Sequence, residues 1–233
     1  YVLISSHNYL YLYHMKNFIF LFAILLISNF VQGQKKNQPG LTMSEMKDIK
    51  LAERKAAKEA IYTLSEGVLL VRLNFKNKEI NYYEKHENTK AAERLKKEQA
   101  KHNVQIIKAF RDLYTFSPVY FFGMNDSESV LTGKFNDVTF YDDKALPSES
   151  IKLNSKDFLI AEFGMVERDT SNSEGATTSL SALVVRSNDF VQLRDPFPFY
   201  SAYTPFGKVK KRYRMPVLRL QRRLTDYYRS AGQ

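Results

Sequence analysis

The chain has 233 residues, with 35 Lys and Arg against 25 Asp and Glu, a formal charge of +10. Its 44% apolar and 26% charged residues are ordinary for a globular protein and exclude a collagen-like, wholly disordered or multi-span membrane chain. It has no cysteine, which excludes a disulfide scaffold, a thiol nucleophile, a cysteine-ligated zinc or iron–sulfur centre and a lipidated cysteine.

The first methionine is Met15, followed by Lys16, ten unbroken apolar residues from Phe18 to Ile27, and Val31-Gln32-Gly33. This is the pattern of a secretory signal peptide over residues 15–33, with Val31 and Gly33 at the −3 and −1 positions. Residues 1–14 read as a leader upstream of the native start. The alternative is an uncleaved membrane anchor. Ten helical residues rise only about 15 Å, half of a bilayer's hydrocarbon core. After cleavage no transmembrane span is expected, and the protein is expected to be exported, to the periplasm or the envelope.

Residues 34–41 read as a flexible lead-in. The single domain is expected over 42–233. Thr42 and Glu45 fit a capping box for a helix to about Ser65, with Gly67 as its stop. Val68–Leu73 (VLLVRL) is an apolar run without alternation, which predicts a strand buried on both faces. A helical region follows over Lys78–Tyr114, with a break near His86–Asn88, a charged centre supported by a Glu93/Lys97 pair, and an apolar end at Ile106, Ala109, Phe110 and Leu113. Pro118–Gly123 is the next buried strand. Strand, helix and strand make a βαβ unit with parallel strands.

Val138–Tyr141, Phe158–Phe163 and Ala182–Arg186 read as three further strands, the last two joined by a long polar loop. Pro216 fits the first turn of a terminal helix to about Arg229, with Val217, Leu220, Leu224 and Tyr227 on its buried stripe. The predicted class is therefore α/β: one domain, a mixed sheet of about five strands with an N-terminal βαβ unit, flanking helices and a basic C-terminal helix. The βαβ…ββα order resembles the thioredoxin-like arrangement.

Charge is uneven. Lys208–Gln233 holds nine basic residues and one acid, Asp226, whereas residues 34–207 are near neutral. A basic segment attracts polyanions. For an exported chain these are lipid headgroups, glycolipids or acidic polymers rather than nucleic acid. A solvated helix face that aids solubility is the plainer alternative.

Chemistry-bearing residues are few. After Gly33 only His86 and His102 remain, neither placed by sequence beside a nucleophile, as a triad requires. Asp126-Ser127-Glu128 and Asp142-Asp143 match no calcium loop, and no metal or cofactor is expected. Glu162 shares a strand face with Phe158 and Ile160. A carboxylate there must be paired or have a raised pKa, and Arg72 or Arg186 is the expected partner. The segment from Asp195 to Phe206 packs five aromatics and three prolines. It cannot be a central strand. Its rings either bury against the sheet edge or, with Phe197, Phe199, Tyr200 and Tyr203 exposed, dock a partner.

LSEGVLLVRL, AFRDLYTFSPVYFF, FLIAEFG and LVVRSNDFVQLRDPFPFY resemble blocks of a group of exported, uncharacterised proteins of Bacteroidota, flavobacteria especially, over residues 15–230. The resemblance implies a Gram-negative envelope location and no known activity.

The leading expectation is a non-enzymatic binding or interaction module. It would meet an envelope protein or anionic surface through the aromatic-proline segment and Arg219, Arg222 and Arg223. Two alternatives stay open: a carboxylate-dependent enzyme or ligand-binding protein centred on Glu162, and a structural subunit of an envelope complex.

Overall fold

The structure is a computed structural model that describes residues 42–153, 155–167, 180–206 and 208–232. The expected leader, signal peptide, lead-in and much of the loop between the last two predicted strands lie outside the described residues. Two units divide the chain, Tyr1–Met46 and Lys47–Gln233. In the first, Thr42 and Glu45 form the capping box: the Thr42 backbone N–H donates to the Glu45 carboxylate at 2.8 Å, and the Glu45 N–H donates to Thr42 Oγ1 at 3.3 Å.

The second unit holds a five-stranded mixed sheet in the order β2-β1-β3-β4-β5. The strands are β1 (Val68–Leu73), β2 (Val119–Gly123), β3 (Phe158–Met165), β4 (Ser181–Arg186) and β5 (Tyr200–Ala202). β1 runs parallel to β2 and β3, β4 is antiparallel to β3, and β5 is antiparallel to β4. The helices are α1 (Met43–Glu66), α2 (Asn77–Lys85), α3 (Thr89–Leu113), the short α4 (Ser127–Leu131) and α5 (Val209–Ala231).

Side-chain alternation divides the core into two layers. Leu69, Val71, Phe121, Leu159, Ala161, Leu183 and Val185 face one way and meet Ile61 and Leu64 of α1, Ile107 and Phe110 of α3, and Val217 and Leu220 of α5. Leu70, Phe122, Phe158 and Ile160 face the other way, where Val130, Val138 and Phe140 cover them. The path from β1 through α3 to β2 thus crosses one face. The path from β2 to β3 crosses back over the other. Direction and face both reverse, so the two crossovers share one hand. The sheet is thus a parallel βαβ unit with β3 beside β1 and an antiparallel pair, β4 and β5, added at its far side.

Several expectations hold in detail. The helical break falls between α2 and α3, where Asn88 caps α3 by accepting from the Ala91 N–H. Gly67 ends α1, and the reason is steric. A Cβ there would lie 2.1 Å from the Asp157 carbonyl oxygen and 2.6 Å from that of Thr63. The lead into β3 presses on this backbone, and the Val68 N–H donates to Asp157 at 3.1 Å.

Three expectations are corrected. Val138–Tyr141 is not a strand; it makes only the bridges Phe122↔Phe140 and Tyr141↔Pro147. The Thr139 N–H is drawn off by the Asp126 carboxylate at 3.1 Å, so no ladder propagates. The fifth strand is β5 instead, three residues of the aromatic-proline segment at the sheet edge, where prolines on either side cap its length. Pro216 lies inside α5, not at its start. The preceding turns form because Tyr213 is buried against Phe163, ring centroids 4.8 Å apart, and hydrogen-bonds His102 at 2.9 Å. Glu93 pairs with Lys96 rather than Lys97, and Lys96 also reaches Glu84, tying α2 to α3.

Candidate functional site

Glu162, Arg72 and Arg186 do come together, as a triad rather than a pair. Arg72 and Glu162 are in register across β1 and β3, and Arg186 enters diagonally from β4, whose Val184 stands opposite Glu162. Arg72 donates to Glu162 Oε2 through Nε at 2.7 Å and also through Nη2. Arg186 Nε donates to Oε1 at 2.6 Å. Arg186 Nη1 also meets Glu167 at 2.7 Å and the Phe190 carbonyl at 3.0 Å. Arg72 lies over the Phe190 ring, 5.2 Å from its centroid. Burial opposes the charge of Arg186, but the hydrogen bonds to Glu167 and Glu162 outweigh it and hold its pKa above the usual guanidinium value.

Each carboxylate oxygen of Glu162 therefore receives a guanidinium donor. Both oxygens are thus held in charge-assisted hydrogen bonds between neighbouring strands. Two open grooves, of about 520 Å³ beside Lys58 and Tyr62 and about 490 Å³ beside Phe140 and Ser148, leave this triad outside their linings.

The acidic loops are likewise occupied. Asp142 accepts the N–H groups of Lys144 and Leu146 at 2.9 and 2.8 Å, and Asp143 pairs with Arg111 at 2.8 Å. Among the described residues no cluster of three or more His, Asp or Glu is placed to hold a metal. His86 Nδ1 hydrogen-bonds the Tyr82 carbonyl at 2.8 Å. His102 sits between Glu98, Lys101, Arg212 and Tyr213, and burial first, then the Arg212 cation, lowers its pKa.

The aromatic-proline segment is corrected in part. Phe197 and Phe199 are 1% and 8% exposed and belong to the helical-face core, so they cannot meet a partner. The Phe197 ring stands edge-on to Tyr227 at 6.2 Å. Tyr203 is half-buried against Phe163 at 5.4 Å. Tyr200 is half-buried under Arg223, 5.7 Å from guanidinium to ring centroid. Phe206, at 82% exposure, is the ring of this segment that faces solvent. The chain turns here rather than running extended: the Asp195–Pro196 bond is cis, the Phe197 N–H donates to the Arg194 carbonyl at 3.0 Å, and the Phe199 N–H donates to the Phe197 carbonyl at 2.8 Å.

The three arginines chosen on sequence do not form one set. Arg219 donates to the Ala202 carbonyl, and Arg223 Nη1 to the Tyr200 carbonyl at 2.6 Å. Arg214 pairs with Asp112. Lys208, Lys210, Lys211, Arg222 and Arg229 are exposed. At 100° per residue, Lys211, Arg222 and Arg229 fall within about 20° of one another on the helix wheel. They form an outward stripe about 27 Å long, with Met215, 51% exposed, beside it. A helix begun at Pro216, as the sequence predicts, leaves Lys211 outside it, so the stripe emerges only because α5 starts at Val209. Arg219 and Arg223 are exposed as well; what sets them apart is that each reaches a carbonyl of β5.

Comparison with protein-family models, with curated proteins and with solved structures finds no match. No helix among the described residues is long and apolar enough to cross a membrane.

Proposed function

We propose that this protein is an exported envelope module that binds an anionic surface through the outward stripe of α5, without catalysing a reaction. The observation that carries the reading is the segregation of charge. Lys211, Arg222 and Arg229 are exposed and aligned, while Arg214, Arg219 and Arg223 of the same helix have carboxylate or carbonyl partners. A stripe of this kind takes phosphate-rich or carboxylate-rich surfaces such as lipid headgroups, glycolipid or acidic polymer. The exposed Met215 beside the cations suits the apolar boundary of a headgroup layer.

Each cation near an anionic membrane contributes about 1 kcal/mol. Lys211→Gln/Arg222→Gln/Arg229→Gln is therefore expected to weaken binding to phosphatidylglycerol vesicles roughly 100-fold. Co-sedimentation measures it. Unchanged binding of the folded triple variant sinks the proposal.

A further inference from the structure

We propose that Arg219 and Arg223 keep the free edge of β5 from pairing with the β5 edge of a second copy. The inference concerns the α5 arginines that bond β5 and does not depend on the anionic-surface reading, which uses Lys211, Arg222 and Arg229.

The edge geometry carries it. The Val185 N–H donates to the Phe199 carbonyl at 2.6 Å, and the Tyr203 N–H to the Ser181 carbonyl at 3.0 Å. Ser201 stands opposite Leu183 between them. Residues 199, 201 and 203 thus turn their backbone groups toward β4, and Tyr200 and Ala202 turn theirs to the side where no further strand lies among the described residues. An open edge of this kind is a template for another strand. Here the two outward carbonyls are the very atoms that Arg223 and Arg219 occupy. The Arg223 guanidinium also lies over the Tyr200 ring, closing the approach above the strand.

The opposite edge repeats the construction. Pro118 gives its carbonyl to β1 through Leu69 N–H at 2.9 Å, so Val119 and Phe121, whose side chains lie in the core, turn their backbone groups away from β1. Arg111 of α3 donates to the Val119 carbonyl at 3.1 Å and stacks on Phe121 at 5.0 Å. The Phe121 carbonyl accepts the Tyr141 N–H at 2.9 Å. At each edge, a helix supplies an arginine that bonds an outward carbonyl and covers an aromatic ring of the same strand. The β2 edge has chain beyond it at residues 140–141. The β5 edge is held by arginine side chains, which makes it the one a second copy would pair with once they are removed. A β5–β5 pair is antiparallel and self-complementary, as a two-fold dimer requires.

The test is sedimentation velocity over a concentration series. Arg219→Ala/Arg223→Ala is expected to self-associate at least tenfold more tightly than the native chain. Lys210→Gln/Lys211→Gln, which removes the same charge without touching β5, is expected to leave association unchanged. Adding Ala202→Pro, which removes an outward N–H that the β4 ladder does not use, is expected to restore the native behaviour. If the double variant does not fold, the two single variants carry the test with a smaller shift. Native sedimentation of the folded Ala variants overturns the proposal. So does association that Ala202→Pro leaves intact, or equal association in the lysine control. None of these outcomes bears on vesicle binding.

Discussion

Replacing Glu162 by Gln probes the triad at the sheet's centre. The change keeps shape and one carbonyl acceptor but removes the charge between two guanidinium groups. The side chains of Arg72, Glu162 and Arg186 are 19%, 11% and 12% exposed, so water compensates little. Arg186 keeps Glu167 and the Phe190 carbonyl. Arg72 is left, among the described residues, with Ser127 Oγ at 3.4 Å and the Phe190 ring. Removing one partner of a buried ion pair costs about 3–5 kcal/mol. For a chain of this size that lowers the melting temperature by about 6–20 °C. Urea unfolding followed by circular dichroism gives the free energy directly. Arg72→Met combined with Glu162→Gln should recover part of the loss, because the stranded cation is removed. A loss under about 0.5 kcal/mol for Glu162→Gln would refute a buried, ion-paired triad.

Gly67→Ala forces a methyl against the Asp157 carbonyl, 2.1 Å away, and should cost about 1–3 kcal/mol or more in the same urea assay. Phe197→Ala should cost about 3–5 kcal/mol, as a core truncation does, where a docking residue would cost almost nothing. His102 has a folded-state pKa below its ordinary 6.5, through burial and then Arg212. The unfolded chain then binds the proton more tightly. Stability is full above about pH 6.5 and falls as the pH drops toward the lowered value. His102→Gln should flatten that fall in melting curves between about pH 8 and pH 5.

Elements whose burial pattern was strong could be read without coordinates. VLLVRL and FLIAEF carry the parallel centre of the sheet because their apolar runs leave no polar face, and a residue such as Glu162 inside one stands out as needing a partner. The sequence could not say that both Arg72 and Arg186 would serve, because strand order decides which arginine lies beside it. Val138–Tyr141 has strand composition, yet Asp126, thirteen residues before Thr139, takes the Thr139 N–H that a ladder needs. Pro216 looked like a start signal, but the buried Tyr213 pulls helix upstream of it. The site was half legible for the same reason. Composition located the basic helix, but the expected start at Pro216 leaves Lys211 off it, and the true start at Val209 is what aligns Lys211 with Arg222 and Arg229. Only the edge position of β5 separates them from Arg219 and Arg223.

The most direct measurement of the central claim is binding of the native chain to phosphatidylglycerol and phosphatidylcholine vesicles across a salt series. Attachment through the α5 stripe requires binding to the anionic vesicles alone, lost as the screening length shrinks from about 10 Å at 0.1 M to about 3 Å at 1 M salt. Equal binding to both lipids, or anionic binding that persists at 1 M salt, would contradict it.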